Sequence, residues 1–394
     1  MYAHVLSERV KALSGENAFQ VLAAANKLEA KGKRVIHFEI GEPDFPTPRH
    51  IVEAGKKALD DGQTKYCPSQ GLPVLREAIV EYTAKYKGIT ARPEEVVVAP
   101  GGKPIIFYTI CALVNPGDEV LYPNPGFPTY ESVIKYAGGV PVPLVLEEKN
   151  GFRLQVEELK AKITPKTRLL IINSPSNPTG GLLTEADLRE IAAAVIKANI
   201  FVLSDEVYSR ISFAGSPTSI ASLPDMKDRT VILDGFSKTW CMTGWRLGYG
   251  IMPPELAQKE TLLLNNSSSC TPPFIQTAGL AALKGPQDST EMMVKEFIRR
   301  RDVIVDGLNA IPGVHCLKPD GAFYVFPSVS GTGIPSAEIA SYLLNECGIA
   351  LLDGAAFGAS GTGFLRLSYA TSLPLINEGL EKIAAGMKAM RSKR

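Results

Sequence analysis

Seven short apolar segments recur between residues 93 and 252, and their regular spacing restricts the possible folds more than any other feature of the chain. The segments are residues 95–99, 119–122, 140–145, 169–172, 201–204, 231–233 and 247–252. They are rich in β-branched residues and apolar on both faces, which is typical of strands buried inside a parallel or mixed sheet. Helical stretches separate them, such as 184–198, where Leu188, Ile191 and Val195 share one face. This alternation predicts an α/β domain with helices on both faces of the sheet.

The two ends of the chain follow a different pattern. Residues 15–31 form one amphipathic pattern typical of a helix, and residues 35–40 are typical of a strand. Beyond residue 287 we expect helices at 288–309, 336–347 and 375–391, and short strands at 322–326, 349–352 and 364–368. Helices and strands grouped in this way predict a smaller α+β domain built from both chain ends. We therefore expect an N-terminal arm with part of the small domain at 1–44, a large domain at 45–287 and a small C-terminal domain at 288–394.

Charge and hydropathy argue against two classes of partner. Lys and Arg number 42 and Asp and Glu number 41, so the formal net charge is +1, and no basic cluster occurs before the last four residues. Nucleic acids and anionic membranes require a concentrated positive field. No apolar run approaches the roughly 20 residues of a membrane helix, and the first ten residues lack the layout of a signal peptide. We expect a cytoplasmic enzyme that binds neither nucleic acid nor membrane.

Cysteine and histidine usage argues against two further kinds of site. The six cysteines are scattered without a C-x-x-C pair, and the four histidines form no H-x-x-x-H pair. Disulfide-stabilised folds are short and dense in cysteine, whereas zinc sites need closely spaced ligands. We expect reduced cysteines and no metal site.

Polar residues follow three of the predicted strands. In chain order they are Asn173 and Asn177, Asp205 and Tyr208, and Ser237 and Lys238. Ligands of α/β sheets bind beyond the carboxyl ends of the strands. Each strand end alone is compatible with an ordinary turn. Together they predict an amide, an acid, a phenol and an amine in one crevice, provided that the three strands are neighbours.

An amine, a carboxylate and a phenol at one sheet edge suit pyridoxal phosphate. A desolvated lysine such as Lys238 is nucleophilic enough to form a Schiff base with the aldehyde, and a carboxylate such as Asp205 keeps the pyridine nitrogen protonated. The phosphate needs backbone N–H groups at a helix start together with a cation. Residues 99–104, which contain Gly101 and Gly102, and Arg246 have these properties. The alternative for the two glycines is a plain turn.

Five motifs strengthen this interpretation. In chain order they are G-E-P-D-F, N-P-T-G, S-D-E-V-Y, F-S-K-T with M-T-G-W-R-L-G-Y, and F-L-R-L-S-Y-A. The chain resembles the class I and II aminotransferases, the fold-type-I, aspartate-aminotransferase-like enzymes that use pyridoxal 5'-phosphate, from about residue 7 to 387. The resemblance implies an α/β fold with a mostly parallel seven-stranded sheet flanked by helices, a smaller α+β domain, and a homodimer with shared active sites.

The resemblance also implies roles for the residues around the cofactor ring. Lys238 resembles the lysine that bonds to the aldehyde and carries the proton, and Asp205 resembles the acid that faces the pyridinium. Tyr208 and Asn177 match the residues that bond the ring hydroxyl. Phe127 occupies the place of the aromatic side chain that stacks on the ring, with a core aromatic as the alternative.

The remaining implied contacts serve the phosphate and the substrate. The phosphate residues are Gly101, Gly102, Lys103, Ser237 and Arg246, joined by Tyr66 from the partner protomer. The substrate α-carboxylate is implied to meet Arg366, with Asn177 and the backbone of Gly41 beside it. For Arg366 the alternative is a surface ion pair.

The sequence departs from the family pattern at two points. Gly235 stands where many relatives place a Ser or Thr on the phosphate. We also find no counterpart of the arginine that classical aspartate enzymes direct at the second substrate carboxylate. Lys103 occupies the place where some aspartate-using bacterial relatives direct a lysine at that carboxylate, although a solvated residue at a helix start is equally compatible with the sequence.

The function that we expect is amino-group transfer between an L-amino acid and a 2-oxo acid. Aspartate with 2-oxoglutarate is slightly preferred, and alanine, aromatic or other neutral amino acids are the alternative. A β-lyase or decarboxylase on the same fold also remains open, because a fold does not fix a reaction. A regulatory protein is disfavoured by the intact Lys238, Asp205 and Arg366. A dinucleotide-dependent dehydrogenase is disfavoured because no G-x-G-x-x-G motif follows a strand.

Overall fold

The computed structural model describes residues 5–392, and its strands fall into one large sheet and two small ones. The strands are β1 (Ile36–His37), β2 (Val96–Ala99), β3 (Glu119–Asn124), β4 (Val140–Val145), β5 (Thr167–Asn173), β6 (Phe201–Asp205), β7 (Thr230–Gly235), β8 (Gly248–Ile251), β9 (Tyr324–Val325), β10 (Ile349–Ala350), β11 (Leu352–Asp353) and β12 (Leu365–Ser368). The α-helices are α1 (Glu8–Lys11), α2 (Asn17–Glu29), α3 (Arg49–Asp60), α4 (Pro73–Lys87), α5 (Lys103–Leu113), α6 (Thr129–Tyr136), α7 (Val156–Lys162), α8 (Glu185–Ala198), α9 (Phe236–Thr239), α10 (Pro254–Ser268), α11 (Pro273–Lys284), α12 (Asp288–Asn309), α13 (Ser336–Asn345) and α14 (Leu373–Ser392).

The large sheet has seven strands in the order β2-β8-β7-β6-β5-β3-β4. The neighbours from β7 to β4 pair in parallel, whereas β8 is antiparallel to both β7 and β2. The expected mostly parallel seven-stranded sheet is therefore confirmed. At one edge, β4 contains Pro141 and Pro143, which lack the N–H group that a central strand needs.

Alternate residues of the central strands enter two separate cores. Leu170 and Ile172 of β5 pack into one apolar cluster, which includes the α8 residues Ile191 and Val195. Leu169 of β5 packs into the other cluster, on the opposite face of the sheet. This two-sided burial explains why the strand segments are apolar throughout.

Local signals set the ends of the α8 helix. The Thr184 hydroxyl accepts from the backbone N–H of Asp187, while the Asp187 carboxylate accepts from the backbone N–H of Thr184. This reciprocal capping satisfies two donors that the first helical turn leaves free. The helix ends before Asn199, whose φ is 53°, a left-handed conformation that asparagine adopts more readily than most residues.

The two small sheets join distant parts of the chain. β1 pairs in parallel with β10 through Ile36 and Ile349, and β12 lies between β11 and β9 in antiparallel pairing. The strand expected at 35–40 is only two residues long. Pairing with β10 stops at Phe38, whose backbone N–H donates to Ala350 while its carbonyl accepts from the backbone N–H of Ser368 on β12.

A buried group of charges ties the α4 helix to the large sheet. Lys87 Nζ lies 2.7 Å from Glu206 Oε2 and 3.0 Å from Asp234 Oδ2, and Ser204 and Ser219 donate to Glu206 Oε1. Burial opposes the charged form of Lys87, but the carboxylates of Asp234 and Glu206 outweigh it and raise its pKa. This ammonium therefore balances two carboxylates that the apolar core would otherwise exclude.

Lys87→Met is expected to lower the free energy of unfolding by about 3–5 kcal/mol, because it leaves two buried carboxylates without their cation. Urea unfolding followed by circular dichroism measures the loss. Lys85→Met is the matched control, since Lys85 is an exposed lysine of the same helix. Equal stability of the two variants would contradict the role that we assign to Lys87.

Candidate active site

A cavity of about 500 Å³ lies beyond the carboxyl ends of β5, β6 and β7. Register places Asn173 of β5 opposite Asp205 of β6, and Asp205 opposite Leu233 of β7. The residues of the sequence prediction that line the cavity are Gly41, Gly102, Lys103, Phe127, Asn177, Asp205, Tyr208, Ser237, Lys238, Arg246 and Arg366. The three polar strand ends thus meet in one crevice.

Lys238 lies on α9, the short helix that directly follows β7. Its Nζ donates to the carbonyl oxygen of Gly41 at 2.6 Å. Burial lowers the pKa of Lys238 to about 8, and the positive charges of Arg246 and Arg366 act in the same direction. The unprotonated amine, which is the nucleophilic form, is therefore far more populated near neutral pH than in an ordinary lysine.

Asp205 ends β6 and is buried. Tyr130 donates to its Oδ2 at 2.7 Å, and the backbone N–H of Val207 donates to its Oδ1 at 3.3 Å. Burial raises the pKa of Asp205 to about 6 in spite of these two hydrogen bonds. A cation placed against this carboxylate would be strongly favoured, since it would offset the cost of burying the negative charge.

Arg366 lies on β12 and is only 3% exposed. Its Nη2 donates to the backbone carbonyl of Glu39 at 2.6 Å, and its guanidinium lies 4.7 Å from the ring centre of Tyr324. Within residues 5–392, neither Nε nor Nη1 has a hydrogen-bond partner. Two unpaired donors on a buried, planar cation are suited to a carboxylate. This burial is incompatible with the surface ion pair.

Three further predicted side chains line the cavity, those of Tyr208, Asn177 and Phe127. The hydroxyls of Tyr208 and Tyr324 are 2.8 Å apart. Asn177 is held by its backbone N–H, which donates to Asn173 Oδ1 at 2.8 Å, and its own Oδ1 has no partner in the described part of the chain. Phe127 packs edge-to-face on Tyr130, with 5.6 Å between the ring centres.

One end of the cavity has the features of an anion site. Gly101 has φ of +100°, and a Cβ at this position would lie 2.4 Å from Arg246 Nη2. Gly102 precedes the α5 helix, which begins at Lys103, and Ser237 lies in the same cavity wall. A helix N-terminus beside a guanidinium attracts phosphate groups. A side chain at Gly101 would collide with the guanidinium of Arg246.

Tyr66 is the predicted residue that lies apart from this cavity. Its side chain is 90% exposed, and it does not line the cavity wall. Its implied role requires a partner protomer, so that role stays a prediction.

The cavity residues that were not found from the sequence include Glu16, Tyr130 and Tyr324. Tyr324 approaches Gly41 so closely that a Cβ there would lie 2.0 Å from the Tyr324 hydroxyl oxygen. The tyrosines lie outside any strand-end motif, and only their tertiary contacts show their place in the site.

The residues present fit pyridoxal phosphate. The Asp205 carboxylate suits a protonated ring nitrogen, the Asn177 and Tyr208 side chains suit a ring oxygen, and the Lys238 amine suits the aldehyde. The glycine segment and Arg246 suit the phosphate. Besides these groups, the cavity contains the Arg366 fork, which remains available for a substrate carboxylate.

Known proteins are similar to this chain over almost its whole length. The family model described as aminotransferase class I and II matches residues 33–383. The aspartate aminotransferase of Geobacillus stearothermophilus is 40% identical over 391 residues, covering 98% of this chain and 99% of its own. Aromatic-amino-acid aminotransferase 2 of Thermococcus litoralis is 39% identical, covering 97% and 98%. The structure of Thermus thermophilus aspartate aminotransferase with maleate has a TM-score of 0.93 at 35% identity, covering 97% and 99%.

We expect pyridoxal phosphate to attach to the apoenzyme faster as the pH rises through about 8. The lowered pKa of Lys238 releases the amine in this range, whereas an ordinary lysine would require a pH of about 10. Absorbance of the attached cofactor after rapid mixing measures the rate at each pH.

Borohydride reduction identifies the attachment site. The reduced cofactor should be found on the peptide that contains Lys238, and Lys238→Ala should retain none. Lys135→Ala, which removes an exposed lysine on α6, serves as the control. A midpoint near pH 10, or a labelled peptide elsewhere, would refute the assignment.

Proposed function

The chain belongs to the class I and II aminotransferases. On this basis we propose that it uses pyridoxal phosphate to transfer an amino group between an L-amino acid and a 2-oxo acid, and we propose a role for each residue of the site. The observation that carries the proposal is the presence in one cavity of a lysine of lowered pKa, a buried carboxylate and a buried arginine, two of whose donors are unpaired among the residues that the structure describes. The first two groups suit the cofactor, and the third suits the α-carboxylate that all amino acids and 2-oxo acids share.

Each residue has a distinct task in this proposal. When bound, pyridoxal phosphate supplies a ring that withdraws electrons from the substrate carbon. Arg366 binds the α-carboxylate and fixes the orientation of the Cα–H bond. Lys238 Nζ removes the proton from that carbon and holds it, which its lowered pKa permits near neutral pH. Asp205 keeps a proton on the ring nitrogen, and Tyr130 holds the carboxylate in place through its 2.7 Å hydrogen bond.

We propose aspartate and 2-oxoglutarate as the preferred pair, with aromatic or other neutral amino acids as the competing class. Lys103 supports the dicarboxylates, because its ammonium lies in the cavity wall. The rings of Phe19 and Phe127, which lie 5.8 and 5.7 Å from Lys103 Nζ, support neutral or aromatic side chains. The relatives include an enzyme named for aspartate and another named for aromatic amino acids.

A single-turnover screen tests this proposal. The holoenzyme is mixed with one amino acid at a time in the absence of a 2-oxo acid, and the loss of the aldehyde form of the cofactor is followed by absorbance. Addition of 2-oxoglutarate should then restore the starting spectrum. A lyase or decarboxylase would instead consume more than one equivalent of the amino acid in the absence of a 2-oxo acid, because such an enzyme returns the cofactor to the aldehyde form by itself.

Lys103→Ala should lower kcat/KM for aspartate and glutamate by the equivalent of about 1–3 kcal/mol, the usual contribution of a hydrogen bond to a charged group. Alanine and phenylalanine should be affected much less. Arg366→Lys is the comparison variant, since it should weaken all amino acids alike by replacing a planar fork with a point charge. Equal losses for aspartate and alanine in Lys103→Ala would show that Lys103 does not act on the second carboxylate.

We also propose a homodimer whose active sites are completed by Tyr66 of the partner subunit. The exposed phenol of Tyr66 supports this, together with the exposed apolar side chains of Val74 and Leu262. We further propose a large domain at 45–287, a small domain formed by 1–44 together with 288–394, and a cytoplasmic location. Six unpaired cysteines are compatible with a reducing compartment.

Mixing Tyr66→Phe with Lys238→Ala protomers should restore activity, because each mixed dimer contains one site with neither lesion. Activity per mole is measured after joint denaturation and refolding. Asp205→Asn mixed with Lys238→Ala is the control, since both changes lie in a protomer's own site and no intact site results. Recovery in neither mixture, or a monomeric mass in sedimentation, would argue against shared sites.

A further inference from the structure

An acidic residue near the start of the chain, Glu16, lines the cavity and pairs with Lys103. Glu16 precedes the α2 helix and lines the cavity with Asn17, Ala18 and Phe19. Its Oε1 accepts from Lys103 Nζ and, at 3.4 Å, from the hydroxyl of Thr129. The chain therefore supplies its own carboxylate to the ammonium that we propose for the second carboxylate of a substrate.

The carboxylate of this ion pair is less exposed than the ammonium. The Glu16 side chain is 20% exposed and that of Lys103 47%. The negative charge of Glu16 raises the pKa of both Lys238 and Arg366 to some degree, although burial lowers both pKa values overall. Glu16 therefore lies within electrostatic reach of the groups that bind and react with the substrate.

Glu42 is the other acidic residue near the same end of the cavity, and it is differently engaged. Its Oε2 accepts from the Thr243 hydroxyl at 2.6 Å. None of the described contacts of Lys103 Nζ, which are with Glu16, Phe19 and Phe127, involves Glu42. Glu16 is thus the carboxylate placed to compete for Lys103.

We propose that Glu16 determines substrate specificity by competing with the second carboxylate of a dicarboxylate substrate for Lys103. This inference rests on the proposed function, since it concerns the same site. A dicarboxylate must displace Glu16 from the ammonium and then lies next to a second negative charge. A neutral side chain leaves the ion pair intact and packs against Phe19 and Phe127. Glu16 therefore weakens the binding of dicarboxylates relative to that of neutral amino acids, so that the enzyme accepts both classes.

Equilibrium binding to the holoenzyme tests the competition without turnover. The probes are maleate, a dicarboxylate, and 3-phenylpropionate, a monocarboxylate with a neutral ring; neither has an amino group to transfer. Isothermal titration calorimetry gives the dissociation constants. Glu16→Gln should tighten maleate binding about tenfold, the effect of one charge-assisted hydrogen bond. Binding of 3-phenylpropionate should change less than about threefold, and so should the binding of both probes in Glu8→Gln, which removes an exposed ion-paired carboxylate on α1.

The double variant Glu16→Gln with Lys103→Ala separates this inference from the proposed function. If Glu16 acts mainly through Lys103, Glu16→Gln should tighten maleate binding much less when it is added to Lys103→Ala than when it is made alone. Unchanged or weaker maleate binding in Glu16→Gln would overturn the inference, whereas the proposed role of Lys103 would survive if Lys103→Ala alone weakened maleate. Maleate binding that is insensitive to Lys103→Ala in both backgrounds would overturn both.

Discussion

Parallel pairing of β5, β6 and β7 is the constraint on which the site depends. Because the strands run in the same direction, Asn173, Asp205 and the segment after Gly235 leave the sheet at one edge. Each strand is buried on both faces, so the register is fixed by two apolar cores at once. A slip of one residue would turn Asp205 out of the cavity. The positions of the acid and of Lys238 are therefore set by the packing of residues that never contact a ligand.

The site also places several negative charges at buried strand ends of the large sheet. Asp205, Glu206 and Asp234 lie on adjacent buried strand ends, with Lys87 as the cation that contacts two of them. The charges of Asp234 and Glu206 add to the effect of burial in raising the pKa of Asp205. The energetic cost of three close carboxylates is thus partly met by Lys87 from the α4 helix, and the affinity of Asp205 for a proton or a cation is increased by its neighbours.

Sequence reasoning predicted the elements with strong periodicity and the residues at strand ends. The helix at 288–309 and the seven-stranded sheet were found where expected, because long amphipathic patterns and two-sided apolar runs are local signals. The family assignment was confirmed by the comparisons. The roles of the thirteen predicted site residues stay predictions. Eleven of them line the cavity, and a twelfth, Gly101, lies against Arg246, which is one of the eleven.

What the sequence did not reveal are contacts between residues that are far apart in the chain. Tyr130 meets Asp205 across 75 positions, and Lys103 meets Glu16 across 87. Nothing in the local pattern around Lys87 distinguishes it from the exposed Lys85 two residues earlier. Such pairs depend on how helices dock on the sheet, which periodicity does not encode.

The contact between Arg366 and the backbone of Glu39 has a consequence for synthesis. The two residues are 327 positions apart, and the adjacent β1-β10 pairing also joins the first and last parts of the chain. Lys238, Asp205 and the glycine segment are all translated before residue 250, whereas the carboxylate fork needs a strand made near the end. Loop closure over such a separation is slow. During synthesis on the ribosome, all the residues suited to the cofactor are therefore translated before Arg366, which is suited to the substrate carboxylate, has been made.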